Sequence, residues 1–294
     1  MKKLVLIHGR SQHDKDAARL KQSWVDALDK GLQKSAVTVP LTDDGIRFPY
    51  YGNTLRDMCE GKDDVAEVIV KGAQDAEGRE LLDELLLTYL DAVGGSDEEV
   101  EDEMAAAAPN AAIERGPQNW GWVQAVLRVI DKHTPGGKAM IELVTNDVHQ
   151  YLDKDTFRTR IEAGIRGAFG SKDDDYIVVS HSLGTIVAYK FLQALSAEGG
   201  WRVPLFVTLG SPLGIRAIRK RLRPISHPAC VGQWFNARDP DDVVALYALN
   251  SDNFGVTPAI TDKSNVDNWT DNQHSIDGYL DDKEVAKRIY DALL

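Results

Sequence analysis

The segment around Ser182 has the residue types and spacing of an activated serine nucleophile. Residues 180–184 read Ser-His-Ser-Leu-Gly, between an apolar strand-like run and an apolar helical pattern. A strand that turns this sharply into a helix holds the central side chain exposed and strained, and it requires small residues two positions away on either side. Gly184 meets this requirement, and Ser180 is small although glycine is usual there. Because the helix would also offer the Leu183 N–H to an oxyanion, the pattern favours a nucleophile over a serine that only caps the helix.

A serine hydroxyl becomes a good nucleophile only with a positioned base and an acid that orients this base. Of the seven histidines, His274 is the one that lies late enough for the chain order serine, acid, histidine. Three aspartates follow a strand-like run at the point where an acid is needed. We favour Asp242 because the apolar Val-Val pair after it would anchor its backbone, with Asp239 second and Asp241 third. Asp239 also suits turn initiation, since a proline follows it.

The loop after the first strand-like run could supply the second oxyanion donor. The run at 3–8 ends in His8 and Gly9. Gly9 allows close backbone approach, and the N–H of Arg10 is the candidate donor. His8 is interpreted as a structural histidine at a strand end rather than a catalytic one.

Strand-like and helix-like stretches alternate outside the middle of the chain. Strands are predicted at 3–8, 37–41, 176–179, 204–209 and 230–235, and helices at 17–32, 156–169, 183–195 and 283–294. This is the rhythm of an α/β fold with a mostly parallel sheet flanked by helices. The carboxyl ends of parallel strands share one sheet edge, which is where the candidate residues fall.

The middle of the chain reads as a long helical insertion, or cap. We therefore predict a core formed by residues 1–60 and 154–294 and an insertion over 61–153. An amphipathic helix is predicted within 81–93 and a flexible acidic loop at 96–103. Residues 60–103 carry 16 acidic and 3 basic side chains, a net −13 against −12 for the whole chain. The acidity therefore belongs to the insertion, and the remaining chain is close to neutral.

Composition excludes several classes of protein. A net charge of −12 disfavours nucleic-acid partners, because binding a polyanion needs a basic face. Two cysteines, no secretion signal and no apolar run long enough to span a bilayer favour a cytoplasmic protein. We expect no cofactor or metal, since the sequence lacks a phosphate-binding loop, a dinucleotide fingerprint and zinc-ligand spacing.

The site motifs are His8-Gly9, Ser180 to Gly184, Leu209-Gly-Ser-Pro212, Asp239 to Val244 and His274. Together they resemble the α/β-hydrolase superfamily, and the Ser-Leu-Gly and Leu-Gly-Ser-Pro motifs are similar to lipase- and esterase-like members that act on acyl esters. The resemblance covers about residues 1–55 and 155–294. It implies a parallel sheet with Ser182 as nucleophile, Asp242 as acid and His274 as base. The chain departs from the family in Ser180, in lacking the usual leading strands and in its long insertion.

The implied function is that of a serine hydrolase that cleaves a carboxylic ester or thioester through an acyl-enzyme. Its substrate would be a small-molecule or lipid ester. The alternative is a catalytically silent α/β-hydrolase fold used as a binding or interaction module. The oligomeric state is left open.

Two further groups bear on the substrate. A basic stretch could contact anionic groups, or could be a solvated helix whose cations pair with the acidic insertion: Arg216, Arg219, Lys220, Arg221 and Arg223. Four aromatic residues could line an acyl pocket, although large aromatics serve more often as core: Tyr50, Tyr51, Trp120 and Trp122.

Overall fold

Six parallel strands form one sheet in the computed structural model. The model describes residues 1–9, 16–51, 76–107, 116, 120–134, 148, 151–152, 155–271 and 273–294. The strands are β1 (Lys2–Ile7), β2 (Ile46–Arg47), β3 (Asp175–His181), β4 (Arg202–Leu209), β5 (Val231–Ala237) and β6 (Thr261–Lys263). Their order across the sheet is β2-β1-β3-β4-β5-β6. The expected α/β fold with a parallel sheet flanked by helices is therefore confirmed.

The chain divides into two compact units, one of residues 1–58 and 155–294 and one of residues 59–154. The helices are α1 (Ala17–Gln33), α2 (Ala76–Ala92), α3 (Asp97–Ala107), α4 (Trp120–His133), α5 (Asp155–Arg166), α6 (Leu183–Glu198), α7 (Arg216–Arg221), α8 (Ser251–Phe254), α9 (Ile276–Leu280) and α10 (Lys283–Leu293). Within the described residues, each helix is too short or too polar to cross a bilayer.

The strand register aligns the carboxyl ends of the central strands. Ile7 of β1 pairs with Ser180 of β3, and Leu209 of β4 pairs with both His181 and Ala237 of its neighbours. The segments after β1, β3, β4 and β5 therefore leave the sheet side by side. This alignment can bring residues that are far apart in sequence into one site.

The central strands are mostly apolar because both faces of the sheet are covered. Alternate side chains such as Leu6, Val179 and Val207 enter a core that they share with α1, α9 and α10. Asp16 caps the amino end of helix α1, and its carboxylate accepts from two N–H groups of the first turn. The core fixes the position of α9, which follows the loop that carries His274.

The prediction of a second strand at 37–41 was wrong. The segment is irregular, and the second strand is Ile46–Arg47. Pro40 has no N–H to give to a strand ladder. The N–H of Val39 donates to the carboxylate of Asp29, 3.1 Å away, instead of to a neighbouring strand.

The prediction of a flexible acidic loop at 96–103 was also wrong, because α3 covers most of it. Ser96 and Glu99 form a reciprocal capping box: the N–H of each residue donates to the side chain of the other. The acidic first turn lies at the positive end of the helix dipole. Glu103 then pairs with Arg128 and Lys132 of α4 within the same unit.

Candidate active site

The turn between β3 and α6 holds Ser182 in a strained conformation. Its backbone has φ 56° and ψ −133°, a region that residues with a side chain seldom adopt. The Ser182 N–H donates to the carbonyl of Leu209, and the Ser182 carbonyl accepts from the N–H and the hydroxyl of Thr185. Neighbouring segments therefore hold the turn from both sides, as a strained residue requires.

The small residues on either side of Ser182 have separate structural reasons. The buried hydroxyl of Ser180 donates to the carbonyl of Val207 at 3.0 Å, so a serine is accommodated where glycine is usual. A Cβ at Gly184 would lie 2.6 Å from the carbonyl oxygens of both Ile7 and His8. The end of β1 therefore passes so close to the first turn of α6 that no side chain fits.

Replacing Gly184 with alanine is expected to lower the free energy of unfolding by about 3 kcal/mol, because the new methyl group meets backbone atoms that cannot move aside easily. Urea unfolding would measure the change. Gly164 in α5 is a matched control, since its Cβ would meet nothing within 4 Å. Alanine there is expected to be stabilising by up to about 1 kcal/mol through helix propensity. Similar unfolding free energies for the two variants would contradict the close approach.

A continuous chain of hydrogen bonds joins Ser182, His274 and Asp242. The Ser182 Oγ lies 2.9 Å from His274 Nε2, and His274 Nδ1 lies 2.8 Å from Asp242 Oδ2. An ionised carboxylate only accepts hydrogen bonds, so Nδ1 carries the proton and Nε2 accepts from the serine hydroxyl. The three residues are 9%, 5% and 0% exposed, respectively. This arrangement can take a proton from the serine as it attacks.

Asp242 is held as an anion although it is fully buried. Burial by itself raises the pKa of its carboxyl, but the charge of His274 and the hydrogen bonds from His274, Tyr279 and Val244 outweigh it and leave this pKa below its ordinary value. The Val244 N–H donates to Oδ1 at 2.8 Å and the Tyr279 hydroxyl donates to Oδ2 at 2.6 Å. The carboxylate therefore has partners on both oxygens.

The other two aspartates have different surroundings. Asp239 accepts the N–H of Asp241 at 2.7 Å on one oxygen and the N–H of Asn268 at 2.6 Å on the other. It therefore shapes the turn, the use suggested by the proline after it. Asp241 is exposed. Of the three, Asp242 is the one whose carboxylate contacts His274.

Two of the three candidate oxyanion-hole residues, Gly9 and Leu183, lie within the described part of the chain and next to Ser182. A Cβ added to Gly9 would lie 2.9 Å from the Ser182 Cβ and 3.4 Å from its Oγ, so the backbone of Gly9 passes directly over the serine. Leu183 is the first residue of α6, where backbone N–H groups have no partner within the helix. Arg10, the third residue expected here, lies outside the described residues.

Both ring nitrogens and the backbone carbonyl of His8 form hydrogen bonds with nearby residues. Its Nδ1 donates to the Gly9 carbonyl at 2.6 Å, its Nε2 accepts from the Tyr51 N–H at 3.2 Å, and its own carbonyl accepts from the Tyr51 hydroxyl. The ring stacks on Tyr51 and Phe48. Burial lowers the pKa of His8 to about 4. Both ring nitrogens of His8 are therefore engaged in hydrogen bonds. The neutral ring supports the Gly9 segment and has no nitrogen free for catalysis.

Sequence reasoning missed three residues that touch the site. His181 donates through Nε2 to the carbonyl of His274 at 2.7 Å, and burial, with the charge of His274, lowers the pKa of His181 to about 3. Gly210 has φ 55°, and its Cβ would lie 3.0–3.2 Å from Tyr279, Asp242 and His274. Its motif was visible in the sequence, whereas Tyr279 lies in a helix with no local signal.

The aromatic and basic residues singled out in the sequence differ in their surroundings. Tyr51 is buried against His8, and Trp122 is buried in α4. The side chain of Trp120 lies outside the described residues. Arg219 donates to backbone carbonyls, including that of Asp252 at 2.6 Å. In the described segments, no cluster of three or more histidine, cysteine, aspartate or glutamate side chains is placed to hold a metal.

Comparisons of the chain with models of protein families, with curated proteins and with solved structures find no significant match.

Proposed function

We propose that the chain is an α/β-hydrolase-like serine hydrolase that cleaves a carboxylic ester or thioester through an acyl-enzyme. The observation that carries the proposal is the hydrogen-bonded series Ser182, His274 and Asp242 at the carboxyl edge of a parallel sheet. The strained backbone of Ser182 supports it further, because strain of this kind persists where surrounding structure enforces it for a function.

The first half-reaction acylates the serine. The Ser182 Oγ attacks the acyl carbon while His274 Nε2 takes the hydroxyl proton, and the negative charge passes to the former carbonyl oxygen. In this proposal the N–H of Leu183 and the backbone of Gly9 stabilise this oxyanion, which the closeness of Gly9 to Ser182 and the position of Leu183 in the first turn of α6 support. The tetrahedral species collapses as His274 returns the proton to the departing alcohol or thiol. The low exposure of the three side chains strengthens these electrostatic interactions.

The second half-reaction returns the enzyme to its starting state. A water molecule gives a proton to His274 Nε2 and attacks the acyl carbon. The new tetrahedral species expels Ser182 Oγ, which recovers its proton from His274, and the carboxylic acid leaves. Asp242 stays ionised throughout and stabilises the protonated imidazole, as its hydrogen bonds favour.

A fluorophosphonate probe tests the proposal, because it phosphonylates an activated serine. We expect one probe molecule per chain, attached to Ser182 and absent in Ser182→Ala. Ser226→Ala is a matched control, since Ser226 is exposed and bonds only to groups outside the site. Intact-mass spectrometry and peptide mapping would locate the adduct.

Hydrolysis of p-nitrophenyl esters of increasing acyl length would then define the acyl specificity. Labelling that persists in Ser182→Ala would contradict the assignment of the nucleophile. An unlabelled parent protein that turns over no ester or thioester would favour a catalytically silent fold used as a binding module.

A further inference from the structure

Tyr279 bridges Asp239 and Asp242, two of the three aspartates in the turn that follows β5. It lies in α9, and its side chain is fully buried. Its hydroxyl lies 2.6 Å from Asp242 Oδ2 and 3.1 Å from the backbone nitrogen of Asp239. It does not contact Ser182 or His274 by a hydrogen bond in the described structure.

We infer that Tyr279 is a positioning residue that sets the orientation and charge of Asp242, an inference that rests on the proposed function. It acts through the carboxylate and not on the substrate. It would be the fourth member of the hydrogen-bonded series, after the serine, the histidine and the aspartate.

The direction of the hydrogen bonds follows from the chemistry of the partners. The backbone nitrogen of Asp239 can only donate, so the Tyr279 oxygen accepts from it and its proton is available for Asp242. A separation of 2.6 Å is typical of a hydroxyl that donates to an ionised carboxylate. Burial, with the negative charge of Asp242, raises the pKa of Tyr279, so its hydroxyl keeps the proton that it donates.

The hydrogen bond from Tyr279 is made to Oδ2 of Asp242, the same oxygen that binds His274. Oδ2 accepts from His274 Nδ1 at 2.8 Å and from Tyr279 at 2.6 Å, while Oδ1 accepts from the Val244 N–H. Without the tyrosine, Oδ2 keeps the hydrogen bond from His274 Nδ1 but loses the second donor that holds it in place. The negative charge of Oδ2 would also interact more strongly with His274, since no second donor would share that charge.

The ring of Tyr279 is itself held by its neighbours. A Cβ added to Gly210 would lie 3.0 Å from the ring, so the missing side chain of Gly210 leaves space for it. The centroid of the His181 ring lies 6.0 Å from that of the Tyr279 ring. Asp239, whose N–H binds the tyrosine, is fixed in turn by the N–H groups of Asp241 and Asn268. These contacts therefore fix the position of the Tyr279 hydroxyl.

The test compares Tyr279→Phe with the parent enzyme and with Tyr290→Phe. The last is a matched control, because Tyr290 lies in α10 and its ring packs against the core and Lys287. Tyr279→Phe is expected to lower kcat for ester hydrolysis about tenfold with KM unchanged, because Oδ2 loses the donor that fixes its position opposite His274 Nδ1, and this loss of orientation outweighs the stronger negative charge that acts on the histidine. The acid limb of its pH–rate profile is expected to move to higher pH, because Asp242 then stabilises protonated His274 more strongly. Tyr290→Phe is expected to change neither.

Two further variants separate positioning from general support of the fold. If Tyr279 acts through Asp242, Tyr279→Phe has little additional effect on the rate of fluorophosphonate labelling in an Asp242→Asn background. Incorporation of 3,5-difluorotyrosine at position 279 keeps the ring and its packing and strengthens the donor. It is expected to move the acid limb to lower pH.

Parent-like kcat and pH profile in Tyr279→Phe, or an equal loss in the Asp242→Asn background, would overturn the inference while the proposed function stands. A parent enzyme without labelling or turnover would overturn both.

Discussion

Replacing Asp242 with asparagine is expected to lower kcat for ester hydrolysis about 10⁴-fold, while KM stays within about threefold. The amide keeps the shape of the carboxylate, but its NH₂ group cannot accept. His274 Nδ1 now faces the carboxylate at 2.8 Å and 3.0 Å. An amide at this place favours the tautomer in which Nε2 carries the proton, and such an imidazole cannot take the proton of Ser182. The buried imidazolium formed during the reaction also loses its counter-ion.

The neighbouring aspartates provide the controls for this experiment. Asp241→Asn changes an exposed side chain and is expected to retain parent-like kcat. Asp239→Asn disturbs a turn that is held by two short hydrogen bonds, so its main effect is expected on stability, measured by urea unfolding. Activity that survives in Asp242→Asn but collapses in Asp239→Asn would assign the acid to Asp239 instead.

The sequence was most informative where the chemistry depends on local spacing. The elbow motif places Ser182 between a strand and a helix within a few residues, and the chain order of serine, acid and histidine singles out His274. The parallel sheet also follows from a local rhythm, because buried strands such as β1 and β3 read as continuous apolar runs.

Residues that act through tertiary contact were beyond sequence reasoning. Tyr279 reaches Asp242 only because α9 packs against α1 and the sheet core, and no pattern near Tyr279 specifies this contact. The choice of the acid among the three aspartates also depended on a tertiary contact. Asp239 and Asp242 are both buried and both accept backbone N–H groups. The position of His274 beside Asp242 distinguishes them.

The two elements predicted wrongly share a different cause. At 37–41 the β-branched residues suggested a strand, but Pro40 and the bond from Val39 to Asp29 show that side chains and loop geometry satisfy the backbone. At 96–103 the charge density suggested a loop. The Ser96–Glu99 capping box was the local signal that should have outweighed it.

Acidification from pH 7.5 to pH 5 is expected to lower the free energy of unfolding by about 4 kcal/mol through His8 and His181. Both rings are buried beside the candidate site, and burial lowers the pKa of His8 to about 4 and that of His181 to about 3, from an ordinary value of 6.5. Below pH 6.5 the unfolded chain therefore binds protons that the folded chain does not. This contribution to stability is complete above pH 6.5 and is lost as the pH falls towards 4 and 3.

The loss is large against the roughly 5–15 kcal/mol of a typical folded domain. Carboxyl groups add little between pH 6.5 and 5, because their ordinary pKa values of 3.8 and 4.5 lie below this range. His8→Phe keeps the stacking on Phe48 and Tyr51 but removes one titrating ring. Whatever its stability at pH 7.5, this variant is expected to lose only about 2 kcal/mol on acidification to pH 5. Urea unfolding across this range measures both slopes, and the same slope in parent and variant would show that the folded protein accommodates the proton on His8.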